Sequence, residues 1–237
     1  MESGTFGTRF IEFEDVATGT ASFRFERPDG YEFQAGQFFM LTLETRDGRE
    51  TKPFTHSSSP ADPALELTTR LTGSAFKDAL LALRPGDPVE VAGPRGRMTL
   101  RPGDAKVAFL VGGVGVTPAR SIVRDAVQRG TGVAFALFYG NQNEPGIPFA
   151  SEFAAYAATH PEIVVIHVLA EPGPGWEGET GFITADVVRK HVDPYDGWHW
   201  VVAGPPAMIT AMEKVIDDLG VARDTVSFER FSGYAPA

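Results

Sequence analysis

The 237-residue chain contains no cysteine. That absence removes disulfides, thiolate nucleophiles, Cys-ligated zinc and any Cys-held iron–sulfur cluster from its own chemistry. If a metal cluster takes part, it belongs to a partner. Long apolar runs are also missing, since none reaches the roughly 18 to 20 residues of a membrane span; no membrane insertion is expected. The opening MESGTFGTRF has an acid at position 2 and no apolar segment, unlike a secretory signal, so the expected address is cytoplasmic. Positive charge is scarce as well. The 21 Lys and Arg face 31 Asp and Glu, a formal net charge of −10, whereas nucleic acid or an anionic membrane demands a basic face. Neither is expected as a partner.

What is present is an ordinary globular balance, with 43% hydrophobic and 22% charged residues and 18 Phe, so a packed core is expected. The length suits one large domain or two modest ones. From residue 6 to about 100 the chain runs in short alternating or apolar stretches, such as Ala21 to Phe25, Phe38 to Leu43, Leu65 to Leu71 and Pro88 to Ala92, separated by Gly, Pro and Asp turns. That rhythm predicts an antiparallel sandwich or barrel. One helix interrupts it over Ser74 to Leu83, with Phe76, Leu80 and Leu83 on one face. After Arg101-Pro102-Gly103-Asp104 strands and helices alternate, with strands expected near 106–112, 133–139, 163–169, 198–203 and 225–229. This predicts a parallel sheet with crossover helices and a division into residues 1–102 and 103–237.

The strongest local motif is GGVGVTPARSIV, residues 112 to 123, between an apolar strand and an amphipathic helix. Gly112, Gly113 and Gly115 permit a tight turn and close approach of a ligand, Thr117 suits a helix cap, and Pro118 suits the first helical turn, as a pyrophosphate cradle requires. A purely structural turn is the alternative. KPFTHSSSP, starting at Lys52, offers a cation, an aromatic ring and hydroxyls at a strand end; these suit a flavin, or simply a Ser-rich turn. Gly73 and Ser74 open the barrel helix and either meet a phosphate or cap it. Gly204-Pro205-Pro206 begins a second helix at the carboxyl edge that carries GGVGVTP, where open α/β sheets bind ligands. The five His lack metal-ligand spacing, so no metal site is expected. His160, His167, His191 and His199 read as surface or packing residues and His56 as a turn residue. No Ser/His/Asp nucleophile set assembles from spacing.

Taken in order, KPFTHSSSP, GSAFKDAL, VAGPRG, FLVGGVGVTP, LFYGNQNEPGIPF, VVAGPPAMI and FERFSGY resemble the ferredoxin-NADP reductase-like flavoprotein oxidoreductase superfamily over nearly the whole chain. The resemblance implies a Greek-key β-barrel binding FAD, an α/β domain binding NAD(P)H, and hydride transfer to flavin N5 between them. Lys52, Phe54 and Thr55 fall on the family's R-x-Y-[ST] motif, which implies phosphate contact, ring stacking and a bond near N5; Pro53 and Ser57 lie in the same site. Lys and Phe depart from the motif's Arg and Tyr. Gly73 and Ser74 match the helix that meets the pyrophosphate, which implies FAD rather than FMN. Gly113, Gly115 and Thr117, with Gly112, match the nicotinamide nucleotide loop. Gly204, Pro205 and Pro206 match C-G-P-P, with Ala203 in place of Cys. Asn141 and Gln142 stand where relatives preferring NADPH carry Arg, which favours NADH slightly, while Arg120 and Arg124 remain open as a source of charge for a 2′-phosphate. Glu229, Phe231 and Tyr234 match the E-x-F-x-G-Y segment that approaches the flavin.

The implied activity is an FAD-dependent NAD(P)H reductase acting on a separate acceptor: a ferredoxin or flavodoxin, an oxygenase component, a membrane redox partner or a small molecule. The alternatives are a non-catalytic regulatory subunit that keeps the fold, and a reductase that uses free flavin as substrate.

Overall fold

Phe39, Leu41 and Leu43 are buried along β3 (Phe38–Thr45) while Phe38, Met40 and Thr42 between them are only partly covered, so the period of two sets which face meets the core. The structure, a computed structural model, describes residues 4–192 and 194–230. With β3, the strands β1 (Gly4–Ala17), β2 (Thr20–Glu26), β4 (Gly48–Thr55), β5 (Ala64–Arg70) and β6 (Pro88–Arg95) form an antiparallel barrel in the order β4-β3-β6-β1-β2-β5. Its edges meet just past β4, where His56 bridges Leu67 and Ser57 N–H donates to Glu66 O at 2.8 Å. Closure therefore happens within KPFTHSSSP. Phe23, Phe25, Phe39, Leu41, Leu65 and Leu67 fill the interior, each stabilising it by roughly 1.5–3 kcal/mol. Helix α1 (Ala75–Ala82) is capped by Ser74 and lays Phe76 and Leu80 on this core.

The second half is a parallel sheet in the order β10-β9-β8-β7-β11-β12. It comprises β7 (Lys106–Gly112), β8 (Ala134–Asn141), β9 (Ile163–Leu169), the short β10 (Glu179–Thr180), β11 (Trp198–Gly204) and β12 (Val226–Arg230). Val107 to Val111 are wholly buried, as expected where helices cover both faces. α2 (Thr117–Arg129) and α3 (Ala150–Thr159) cover one face, and α4 (Ala185–His191) and α5 (Pro206–Leu219) the other. The expected strands fall within two residues of those observed; the two-residue β10 was not expected.

Chain order reverses between β7 and β11, so a crevice opens at their carboxyl ends, at Gly112–Gly113 and Gly204–Pro205. This is the switch point where such sheets bind ligands. The first turn differs from expectation: a 3-10 turn over Gly113–Val116 runs straight into α2, and Thr117 Oγ1 donates to Val114 O at 3.1 Å instead of capping the helix. α2 itself is wedged between sheet and barrel, with Ile122, Val123 and Ala126 in the sheet's core and Arg120 and Ser121 bonded to the barrel. Among the described residues no helix is long and apolar enough to cross a membrane.

Candidate active site

The end of β4 forms one wall of a cavity of about 380 Å³. Lys52, Pro53, Phe54 and Thr55 line it, Thr69, Ser74 and Lys77 face it from β5 and α1, and Val114 and Thr117 reach it from the parallel-sheet half. The cavity thus spans both halves of the chain. Phe54 is held against Phe76, with ring centroids 5.7 Å apart, and the Lys77 ammonium lies 4.9 Å from its centroid. Lys77 Nζ also donates to Thr69 Oγ1. Lys52, by contrast, is half-exposed and pairs with Glu50 at 2.9 Å.

Thr55 Oγ1 donates to Glu229 Oε1 at 3.5 Å, joining two residues 174 positions apart. Burial pushes the Glu229 carboxyl up to about 7, opposed only by the Thr55 hydrogen bond. Its Oε2 is buried and has no hydrogen-bond partner among the described residues. A carboxyl in this state exchanges a proton near neutral pH. On the neighbouring strand Ala203 lies in register with Glu229, so the alanine that replaces the family's Cys sits beside this acid. Phe231 and Tyr234 lie outside the described residues.

The glycines divide by role. Gly113 takes φ +52° with open space where a Cβ would be, whereas a Cβ on Gly115 would meet Ala203 O at 2.4 Å. Gly115 has an ordinary φ, so it serves the packing of the 3-10 turn on β11 rather than a left-handed turn. Cβ atoms on Gly112 and Gly204 would both meet Met208 Sδ, at 2.6 and 2.9 Å, which draws the two helix starts together. Pro205 is the N-cap of α5 and Pro206 its first residue. Gly73, at φ +68°, precedes the α1 cap.

Ser57 is placed elsewhere. It is buried, donates to Glu66 Oε1 at 2.9 Å, and its carbonyl accepts from Arg120 Nη1 at 2.7 Å. Arg120 also pairs with Glu66 and with Glu152, at 2.5 and 2.7 Å, and lies 4.0 Å over the Phe149 ring. Arg124 grips both oxygens of Asp62 and pairs with Glu152 at 3.1 Å. Both arginines, left open by the sequence as partners for a 2′-phosphate, are instead bound to carboxylates in a polar lock between barrel and α2. Neither this lock nor the placement of Lys77 was foreseen. A lone cation among Ala75, Phe76 and Leu80 was the only sequence signal for the latter.

His56 is a buried support rather than a proton carrier. Its Nδ1 lies 2.7 Å from the Gln37 carbonyl and its Nε2 3.1 Å from the Tyr31 hydroxyl, so Nδ1 donates and Nε2 accepts. The fold also assembles a Ser/His/Asp set that spacing did not reveal: Asp104 Oδ2 meets His199 Nδ1 at 2.7 Å, and His199 Nε2 meets Ser227 Oγ at 2.9 Å. It lies at the amino-terminal edge of the sheet, opposite the crevice, and Arg101 Nη2 donates to the same Ser227 oxygen at 3.0 Å. The set straps residues 101–104 to β11 and β12.

Comparison with known proteins agrees with this architecture. Residues 109–214 match the family model described as an oxidoreductase NAD-binding domain. The chain is 29% identical to ferredoxin–NADP reductase B of Sorangium cellulosum, over 98% of this chain and 99% of that protein. It is 32% identical to the reductase component of phenol 2-monooxygenase from Pseudomonas sp. strain CF600, over 84% of this chain and 58% of that one. The crystal structure of the Amycolatopsis cytochrome P450 reductase GcoB superposes with a TM-score of 0.85 at 26% identity, covering 97% of this chain and 70% of that one. With its antiparallel barrel, its parallel sheet and a cavity shared between them, the chain belongs to the ferredoxin-NADP reductase-like flavoprotein oxidoreductase superfamily.

Proposed function

We propose that this chain is an FAD-dependent NAD(P)H reductase that delivers electrons to a separate acceptor, its flavin held by residues 1–102 and its nucleotide by residues 103–237. One observation carries the reading: Thr55 of the barrel and Glu229 of the parallel sheet meet beside a cavity lined from both halves. The residues present fit a flavin. Phe54 offers a ring face, Thr55 a hydroxyl, and Ser74 the start of a helix, while among the described residues Glu229 Oε2 has no hydrogen-bond partner and the Lys77 ammonium has no carboxylate partner. When bound, a flavin accepts hydride from the nicotinamide and releases electrons onward.

The chain's own contribution is orientation and proton placement. Phe54, fixed by Phe76, sets the plane of the bound ring. Thr55 directs its hydroxyl toward the cleft, and Glu229 holds a proton that is available near neutral pH. The 3-10 turn that leads into α2 and the amino-terminal end of α5 both lie at the crevice, where a dinucleotide's phosphates bind favourably. Asn141 Nδ2, buried without a partner among the described residues at the carboxyl end of β8, offers a further donor there.

The finer reading is a preference for NADH. Residues 130–188 contain no Lys or Arg, and they include the carboxyl ends of β8 and β9 on one side of the switch point. Arg120 and Arg124 are already paired with carboxylates. A 2′-phosphate therefore meets acidic loops with no free cation from this stretch, at a Coulombic disadvantage. Acceptors of the ferredoxin, oxygenase or small-molecule kind all remain compatible.

The test is anaerobic titration of FAD-loaded protein with NADH and with NADPH. Bleaching of the flavin band, faster with NADH, supports the reading. Protein that binds no flavin yet reduces added flavin is instead a free-flavin reductase. Flavin or nucleotide binding without any reduction makes it a regulatory subunit.

A further inference from the structure

We infer that Lys77, rather than Lys52, is the side chain that meets the flavin's phosphate charge in this protein. The inference rests on the flavin reading of the cavity and departs from the motif, which would give that duty to the cation at position 52. Lys52 has a partner already. Its ammonium pairs with Glu50 at 2.9 Å, and Glu50, also on the cavity wall, is held below the usual carboxylate range first by that hydrogen bond. A phosphate approaching Lys52 therefore also approaches a carboxylate.

Lys77 is placed in the opposite way. Among the described residues it has no carboxylate partner; its ammonium meets only the neutral Thr69 hydroxyl and the Phe54 ring face. Burial pulls its pKa down to about 8. Asp78, its neighbour in the chain, is occupied by Arg46 at 2.5 Å. Lys77 also lies in the first turn of α1, the positive end of the helix, where a cation is disfavoured and an anion favoured. A partly buried ammonium at the wrong end of a helix, without a counter-ion among the described residues, costs stability that a bound anion restores. Ser74, the N-cap, lies on the same wall, so ammonium and helix start converge on one anionic group.

The experiment uses the full chain stripped of flavin, titrated with FAD and separately with riboflavin, which has the ring but no phosphate. Binding is read from flavin fluorescence for wild type, Lys77→Met, Lys77→Arg and Lys52→Met, and thermal melts of the flavin-free proteins check folding. Lys77→Met is expected to weaken FAD binding at least about tenfold, Lys52→Met and Lys77→Arg less than about threefold, and riboflavin binding is expected to stay within about twofold in all. A Lys52→Met loss equal to or larger than that of Lys77→Met overturns the inference. So does an equal loss of FAD and riboflavin in Lys77→Met, which would make Lys77 a support for the Phe54 ring. If wild type binds neither compound, the flavin reading itself fails and the inference with it.

Discussion

Acid should unfold this protein in part through His56, and the size of the effect follows from the structure. The ring is fully buried, stacked on Phe33 at 3.8 Å and 11°, and fixed between the Gln37 carbonyl and the Tyr31 hydroxyl. Burial, reinforced by the nearby charge of Arg27, lowers its pKa from 6.5 to about 3 against the opposing Gln37 bond. The unfolded chain therefore takes up a proton below pH 6.5 that the folded chain refuses. His56's contribution is fully present above that pH and is lost as pH falls toward the folded value. Between pH 7 and pH 4.5 the loss is close to two pH units, or about 2.7 kcal/mol.

Urea unfolding of wild type and His56→Gln at the two pH values isolates the effect. The variant is less stable at pH 7 because it loses the stacked ring, but its stability should fall less on acidification, by about 2–3 kcal/mol. Other acid-sensitive groups, including Asp62 and Glu152 with lowered pKa values and His167 and His199 held neutral by burial, are common to both proteins and cancel. Equal losses in the two proteins would refute the argument, because the ring would then be accepting its proton inside the fold.

Glu229→Gln should remove an ionisation near pH 7 from the pH profile of NADH-dependent turnover and slow it by about 10²-fold or more; stopped-flow reduction across pH 6 to 8 reads both. Arg120→Met strips a buried cation from Glu66, Glu152 and the Ser57 carbonyl and should cost about 3–5 kcal/mol, with denaturation resolving into two transitions as barrel and sheet uncouple. Gly115→Ala drives a methyl into Ala203 O, and calorimetry should show a loss of about 1–3 kcal/mol. Isothermal titration should show weaker NADH binding with FAD affinity unchanged.

Much of the fold was legible because its signals are local. Val107 to Val111 reads as a strand buried on both faces, Phe39, Leu41 and Leu43 as one face of a barrel strand, and Gly-Pro-Pro as a helix start. The site was legible only in part, because its decisive contacts join distant segments. Nothing near Glu229 announces that Thr55 will lie 3.5 Å away, and nothing in SSS announces that Ser57 turns from the cavity to Glu66 and Arg120. Thr117 looked like a cap because Thr before Pro favours one, but the preceding residues were already turning and left no non-helical position for it. Gly115 looked like a phosphate glycine, yet the atom it avoids is the carbonyl of Ala203 on the neighbouring strand.

The departures from the family motif bear on whether the chain turns over at all. Lys52, Phe54 and Ala203 each replace a residue with richer hydrogen-bonding or redox-relevant chemistry, and a scaffold released from catalysis would drift in this way. Such a scaffold has no use for Glu229 as it stands. A buried carboxyl with one oxygen unpartnered among the described residues and its pKa near 7 destabilises the fold, and a Gln or an apolar residue at the same place would relieve the cost. Lys77 presents a similar case on the cavity wall, as a partly buried cation without a counter-ion among the described residues. A scaffold with no ligand to hold gains nothing from either group, since each costs stability in the empty protein. Lys77 lines the cavity shared by barrel and sheet and Glu229 meets its Thr55, which is where the proposed proton and electron transfer would need such groups.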